Sequence, residues 1–185
     1  MTGLAPPVPY QWNVGDVATA ALLDAQLYTG LTFLLNPPMF EAVQTATGTL
    51  ITSSASSWTP INFADAAGII ADTYGGWSSS TPSRYTAQTP GWYWVSGTIC
   101  FPNNATGNRG IRIAKNGNAV QGTGTLVGGA ASGQDTAIAT PLRKIYLNGT
   151  GDYIEVHGTQ TSGSSLTTAI AGDVDTAFSV SFAHL

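Results

Sequence analysis

The sequence predicts a mainly β protein: a β-sandwich preceded by a short N-terminal arm and a single helix. Three observations carry this. Gly, Ser and Thr make up 62 of 185 residues, while charged residues are 9%, against roughly 25% in ordinary globular proteins. Small neutral residues suit short strands joined by tight turns. Second, WYWVSGTICF (residues 92–101) alternates strictly. Tyr93, Val95, Gly97, Ile99 and Phe101 share one face and Trp92, Trp94, Ser96, Thr98 and Cys100 the other, as the two-residue period of a strand requires. Third, one stretch alone, residues 16–35, has a convincing helical pattern.

In chain order, residues 1–15 carry Pro6, Pro7 and Pro9 beside Tyr10 and Trp12. Proline fixes its own φ and biases the residue before it toward extended backbone, so this arm is expected to be extended. Asp16 is a candidate N-cap, and Leu23, Leu27, Leu31 and Leu34 recur at helical spacing until Asn36-Pro37-Pro38 stops the helix. A lone apolar stripe needs a partner: its own body, symmetry mates or a different protein. From about Phe40 onward the pattern is β. Ile111 and Ile113 flank Arg112, and the Asn116-Gly117 pair just after is a strong hairpin signal. Ile145 and Leu147 share a face, as do Ile154 and Val156, and Phe178, Val180 and Phe182 line the last strand. Residues 103–110, 121–135 and 159–168 read as Gly/Ser/Thr loops.

Composition also excludes function classes. A net charge of −4 with six scattered Lys and Arg offers no footprint for a nucleic-acid backbone or an anionic membrane surface. No apolar run approaches the roughly 18–20 residues needed to span a bilayer, and the N-terminus shows no secretory signal pattern. Cys100 is the one cysteine, so no internal disulfide is expected. Scarce charge leaves little to hold copies apart, which hints at assembled surface.

Catalytic and metal chemistry finds few candidates. His157 and His184 lie on different strands without ligand spacing, and Cys100 has no companion. His157 reads as an exposed or interface strand residue. Asp152 and Glu155, three apart on a strand, point to opposite faces and read as turn and surface residues. No nucleophile elbow or phosphate loop is present; NATGNRG lacks the strand–loop–helix context and the Lys-Ser/Thr that phosphate binding uses. No catalytic, metal or cofactor site is expected, and the chain reads as non-enzymatic. Five tryptophans, Trp12, Trp58, Trp77, Trp92 and Trp94, serve either as sugar-stacking platforms or as core and interface. Burial between protomers is favoured for Trp92 and Trp94.

The segment from Trp58 to Leu185 resembles the C1q/TNF-like jelly roll. WTPINF (58–63) is similar to the family's first strand. The series Asp72, Trp77, Tyr85, then Gly91-Trp92-Tyr93-Trp94-Val95, follows its aromatic signature. IRIAKNG (111–117), IYLNGTGDYIEV (145–156) and AFSVSF (177–182) match later strands and turns. VGDVATAALLDAQL (14–27) is similar to a segment near the start of bacteriophage tail-fibre, head-fibre and other virion proteins, with Thr19, Ala20 and Leu23 holding the motif.

The resemblance implies a homotrimer, with Trp92, Trp94 and Tyr146 at the subunit contacts. It implies a virion structural protein in three parts: residues 1–40 for attachment, 41–57 as a linking strand or stalk, and 58–185 as the outward head. Tyr10, Trp12, Leu23, Leu27, Leu31 and Leu34 are the expected contacts to a major capsid or tail protein. Capsid decoration or head fibre is the first expectation. A minor tail or fibre-tip protein touching host-surface glycan is the alternative, and a free carbohydrate-binding module a third.

Overall fold

In the computed structural model, residues 8–130 and 133–185 are described; the extended backbone expected at Pro6 and Pro7 lies outside them. The helix (α1) runs through Ala20–Leu23, a π-helical stretch Asp24–Thr29 and Gly30–Leu35. Its N-cap is Thr19, whose hydroxyl accepts from the Leu22 amide at 3.2 Å. Asp16 is not the cap: its carboxylate is taken up by the Asn13 amide at 2.7 Å and the Tyr10 hydroxyl at 3.0 Å. A π turn is wider than an α turn and rotates the next helical turn relative to the previous one. Gly30 and Phe33, rather than the leucines, are therefore the residues buried against the body.

The strands are β1 (Met39–Val43), β2 (Leu50–Ile51), β3 (Ser54–Pro60), β4 (Ile69–Asp72), β5 (Arg84–Thr86), β6 (Pro90–Phe101) and β7 (Asn108–Lys115). Then come β8 (Asn118–Ala119), β9 (Thr125–Gly128), β10 (Thr136–Ala139), β11 (Arg143–Asn148), β12 (Tyr153–Gln160), β13 (Leu166–Thr167) and β14 (Ala177–His184). One sheet has the order β10-β6-β14-β1-β4, and β11 shares with β10 the same side of the long strand β6. The other has the order β5-β12-β7-β8, with β9 on β7. Pairing is antiparallel throughout both sheets.

The alternation in β6 sets the core. Tyr93, Val95, Ile99 and Phe101 point inward with Ile111, Ile113, Ile154, Val156, Phe178 and Val180, all at or below 1% exposure. Burying each such side chain contributes about 1.5–3 kcal/mol. Gly97 permits the closest approach: a Cβ there would sit 2.6 Å from Val156 Cγ2 on the facing sheet. The β7–β8 hairpin turns at Asn116 and Gly117, with φ of 52° and 77°. Two consecutive positive φ values are what the tight hairpin turn demands of Asn-Gly.

Residues 41–57 are not a stalk. Phe40 and Ala42 are fully buried in β1, which lies between β4 and β14, and Ile51 reaches the same core. Gln44 is also buried, donating to Thr49 Oγ1 at 2.9 Å and to the Asn62 carbonyl at 2.7 Å. The sandwich therefore starts at β1, because Phe40 stacks on Tyr85 and meets Phe178 edge-on. The expected loops also hold strands. β9 falls inside residues 121–135, β13 inside 159–168, and β7 and β12 overlap the loop ends. These pairings rest on backbone hydrogen bonds at sheet margins, where no apolar alternation is needed.

Candidate functional site

The outward face of the β6 sheet holds the three residues expected at a subunit contact. Backbone alternation turns Trp92 and Trp94 away from the core, and β11 does the same for Tyr146, opposite Trp92 in register. They are 39%, 40% and 46% exposed. Trp92 meets Tyr146 edge-on with centroids 5.8 Å apart, and the His184 ring tilts beside Trp92 at 6.2 Å. Lys144, opposite Trp94, holds its ammonium 5.1 Å from the centre of that indole. Beside this aromatic ridge lies a shallow hollow of about 190 Å³ lined by short side chains, among them Ser96, Thr98, Ala139 and Ser179, and by Glu41.

The second apolar surface is the helix. Phe33 packs edge-on against Phe182 at 5.1 Å and Tyr74 at 6.4 Å. This docking leaves Leu23, Leu27, Leu31 and Leu34 40%, 55%, 53% and 73% exposed. Leu27, Leu31 and Leu34 line a groove of about 460 Å³ against Phe182 and His184, and Leu23 stands outside it. Tyr10 and Trp12 meet edge-on at 5.1 Å, both exposed. The arm folds back on the helix: Gln26 accepts from the Tyr10 amide at 2.9 Å and donates to the Val8 carbonyl at 3.1 Å.

A third cluster is not foreseen from the sequence. Glu155 and His157 are buried, at 3% and 4% exposure, not surface or interface residues. Ile154 and Val156 face the core, so Glu155 and His157 share the opposite face of β12. That face is covered by β3, where the Thr159 hydroxyl is within 3.0 Å and 2.8 Å of the Ser54 and Ser57 carbonyls and Trp58 lies over Arg112. Glu155 Oε1 accepts from Ser83 Oγ at 2.9 Å and Arg84 Nε at 3.2 Å, and Oε2 is 3.1 Å from His157 Nε2. Burial pushes the Glu155 carboxyl up, and the hydrogen bonds from His157, Ser83 and Arg84 more than offset it, leaving it below the ordinary glutamate value.

The Ser83 hydroxyl bonds the Glu155 carboxylate rather than the His157 imidazole, so the three groups are not ordered as serine, histidine and carboxylate in a nucleophile-activating triad. Asp152 is likewise engaged, with Lys115 at 2.7 Å and Asn116 Nδ2 at 2.7 Å. Among the described residues, no three His, Cys, Asp or Glu side chains are grouped as metal ligands. Cys100 is buried, and burial pushes its thiol up to about 11. Among the described residues, no helix is long and apolar enough to cross a membrane.

No family model and no curated protein matches this sequence. Solved structures do. A crystal structure of murine APRIL at pH 8.5 aligns with a TM-score of 0.54 at 12% identity, covering 78% of this chain and 98% of that one. A second, at pH 5.0, gives 0.55 at 11% identity with the same coverage. At such identity the likeness concerns the fold, which is a TNF-like jelly-roll sandwich. The share covered exceeds what residues 58–185 alone supply, in keeping with a sandwich that begins at β1.

Proposed function

We propose that this chain is a non-enzymatic structural protein of a bacteriophage virion, a homotrimer whose jelly-roll head projects outward from an N-terminal attachment region. One observation carries the reading. The helix is anchored to the head through Phe33, yet Leu23, Leu27, Leu31 and Leu34 stay exposed, and the last three line an open groove against Phe182 and His184. An exposed apolar groove and stripe on an anchored helix mark a protein-binding surface, and the virion-like segment at residues 14–27 supplies the context. Its partner is a major capsid or tail protein, contacted by the stripe and by Tyr10 and Trp12. The TNF-like fold and the exposed ridge of Trp92, Trp94 and Tyr146 support a trimer closed on that face. Localisation is then the virion, as a capsid decoration or head-fibre protein.

Quantitative mass spectrometry of purified particles tests this. Hundreds of copies per particle support decoration. A handful supports the minor tail or fibre-tip alternative, and absence overturns the virion reading. Leu27→Asp with Leu31→Asp is expected to abolish incorporation while the chain still folds and self-associates. The exposed rings of Trp92 and Tyr146 would also stack on a sugar. The glycan-contacting alternatives therefore predict signal from the full chain on a glycan array, and uniform silence removes them.

A further inference from the structure

Charge is so scarce in this chain that each cation can be accounted for. Arg84 pairs with Glu155, Lys115 with Asp152. Arg109 donates to the Asn104, Thr106 and Asn108 carbonyls, Arg112 lies over Trp58, and Arg143 donates to the Gly122 carbonyl. Lys144 is exposed, with the Trp94 ring beneath it, and among the described residues it takes part in no ion pair. On the same outward face, Glu41 lines the hollow beside the aromatic ridge, and among the described residues it takes part in no ion pair.

The register shows that these two cannot meet within one chain. Glu41, Ser179 and Ser96 form one row across β1, β14 and β6, and Trp94 and Lys144 lie in the next row across β6 and β11. Three strand spacings separate β1 from β11, about 14 Å. One face thus carries a cation on a ridge near one margin and an anion in a hollow near the other. Opposite charges on opposite sides of a face suit a head-to-tail contact, in which each copy presents one side to one neighbour and the other side to the next, closing a ring.

We propose that Lys144 of one protomer, carried on its Trp94, seats at the hollow of the adjacent protomer and pairs there with Glu41, fixing the register of the ring. This rests on the homotrimer proposed for the chain. The occupant is a second copy of this chain because ridge and hollow lie on one face and their charges are complementary. A pair of this kind acts through specificity: juxtaposing like charges costs several kcal/mol, whereas swapping both partners restores attraction.

The experiment is charge reversal in the full chain, read by light scattering over a dilution series. Glu41→Lys and Lys144→Glu are each expected to raise the concentration of half-dissociation about a hundredfold or more. The double variant is expected to return within about tenfold of wild type. Glu41→Gln and Lys144→Gln, which remove charge without adding repulsion, are expected to weaken assembly less than the reversals and guard against misfolding of the latter. A wild-type chain that stays monomeric at micromolar concentration overturns the trimer and this pair together. A stable wild-type trimer that tolerates both reversals and both neutral variants overturns the pair alone. So does a double variant no better than the single reversals.

Discussion

Glu155 Oε2 lies 3.1 Å from His157 Nε2 on the buried outer face of β12, with the two residues 3% and 4% exposed. The same carboxylate ties Ser83 and Arg84 to its other oxygen, so one residue joins β12 to β5 and to the turn before it. Glu155→Ala would leave the buried His157 imidazole without this partner, while Arg84, its side chain 40% exposed, stays open to solvent. Leaving a buried polar group without its hydrogen-bond partner costs about 1–3 kcal/mol. Urea denaturation is expected to show a loss of that order; a change under about 1 kcal/mol would refute the cluster's role.

The same group sets an acid dependence. Its folded carboxyl sits below the ordinary value of 4.5, so the unfolded chain binds the extra proton first as pH falls. The stabilisation is complete above about pH 4.5 and is lost as pH drops through the folded value. Thermal melts from pH 6 to pH 3 should show wild type losing more stability below 4.5 than Glu155→Gln does. Parallel curves for the two proteins would contradict this.

Trp94→Asp tests the aromatic ridge. Wild type is expected to scatter as about three times 19.1 kDa, and the variant as a folded single chain, because a carboxylate in an apolar contact is buried without a partner. Normal assembly of the variant would place Trp94 in solvent and strengthen the glycan alternative.

Phe33→Ala separates the helix from the head. Phe33 is 6% exposed and meets both Phe182 and Tyr74, and truncating a buried Phe costs about 3–5 kcal/mol. The expected outcome is local: amide exchange rises across residues 20–35 while β6, β7, β12 and β14 stay protected. Uniform loss of protection would show instead that helix and sandwich unfold as one unit.

Gly97→Ala probes the closest approach of the sheets. Its Cβ would stand 2.6 Å from Val156 Cγ2, and overpacking of this kind costs about 1–3 kcal/mol. Adding Val156→Ala is expected to recover part of that loss in a double-mutant cycle, since it removes the opposing methyl groups. Strictly additive effects would rule out the direct clash.

Particular residues show how far sequence reasoning reaches. The inward set of β6, the Ile111/Ile113 and Ile154/Val156 pairs and the Asn116-Gly117 turn are all legible. Each depends on a local rule, strand alternation or positive φ. Residues 41–57 read as a stalk because their polar composition hides Ala42 and Gln44, which are buried only once β1 slots between β4 and β14. Residue type alone favours Asp16 over Thr19 as cap, and only the path of the arm shows Asp16 already occupied by Tyr10 and Asn13. The Glu155–His157 cluster carries a sequence signal, two polar residues sharing the face opposite Ile154 and Val156. Nothing local says that β3 covers that face.

Local patterning specifies a low-charge β-sandwich, its core stripe, the outward Trp92 and Trp94, and a lone helix with a leucine stripe. Those features come from periodicity, which the backbone enforces residue by residue. The folded arrangement of distant segments sets which faces are covered. It buries Glu155 against Ser83 and Arg84, 72 and 71 positions away. It docks the helix through Phe33 rather than its leucines, and it parts Glu41 from Lys144 across one sheet. Coverage depends on which distant segments cross, and that is a property of strand order, not of any stretch of sequence.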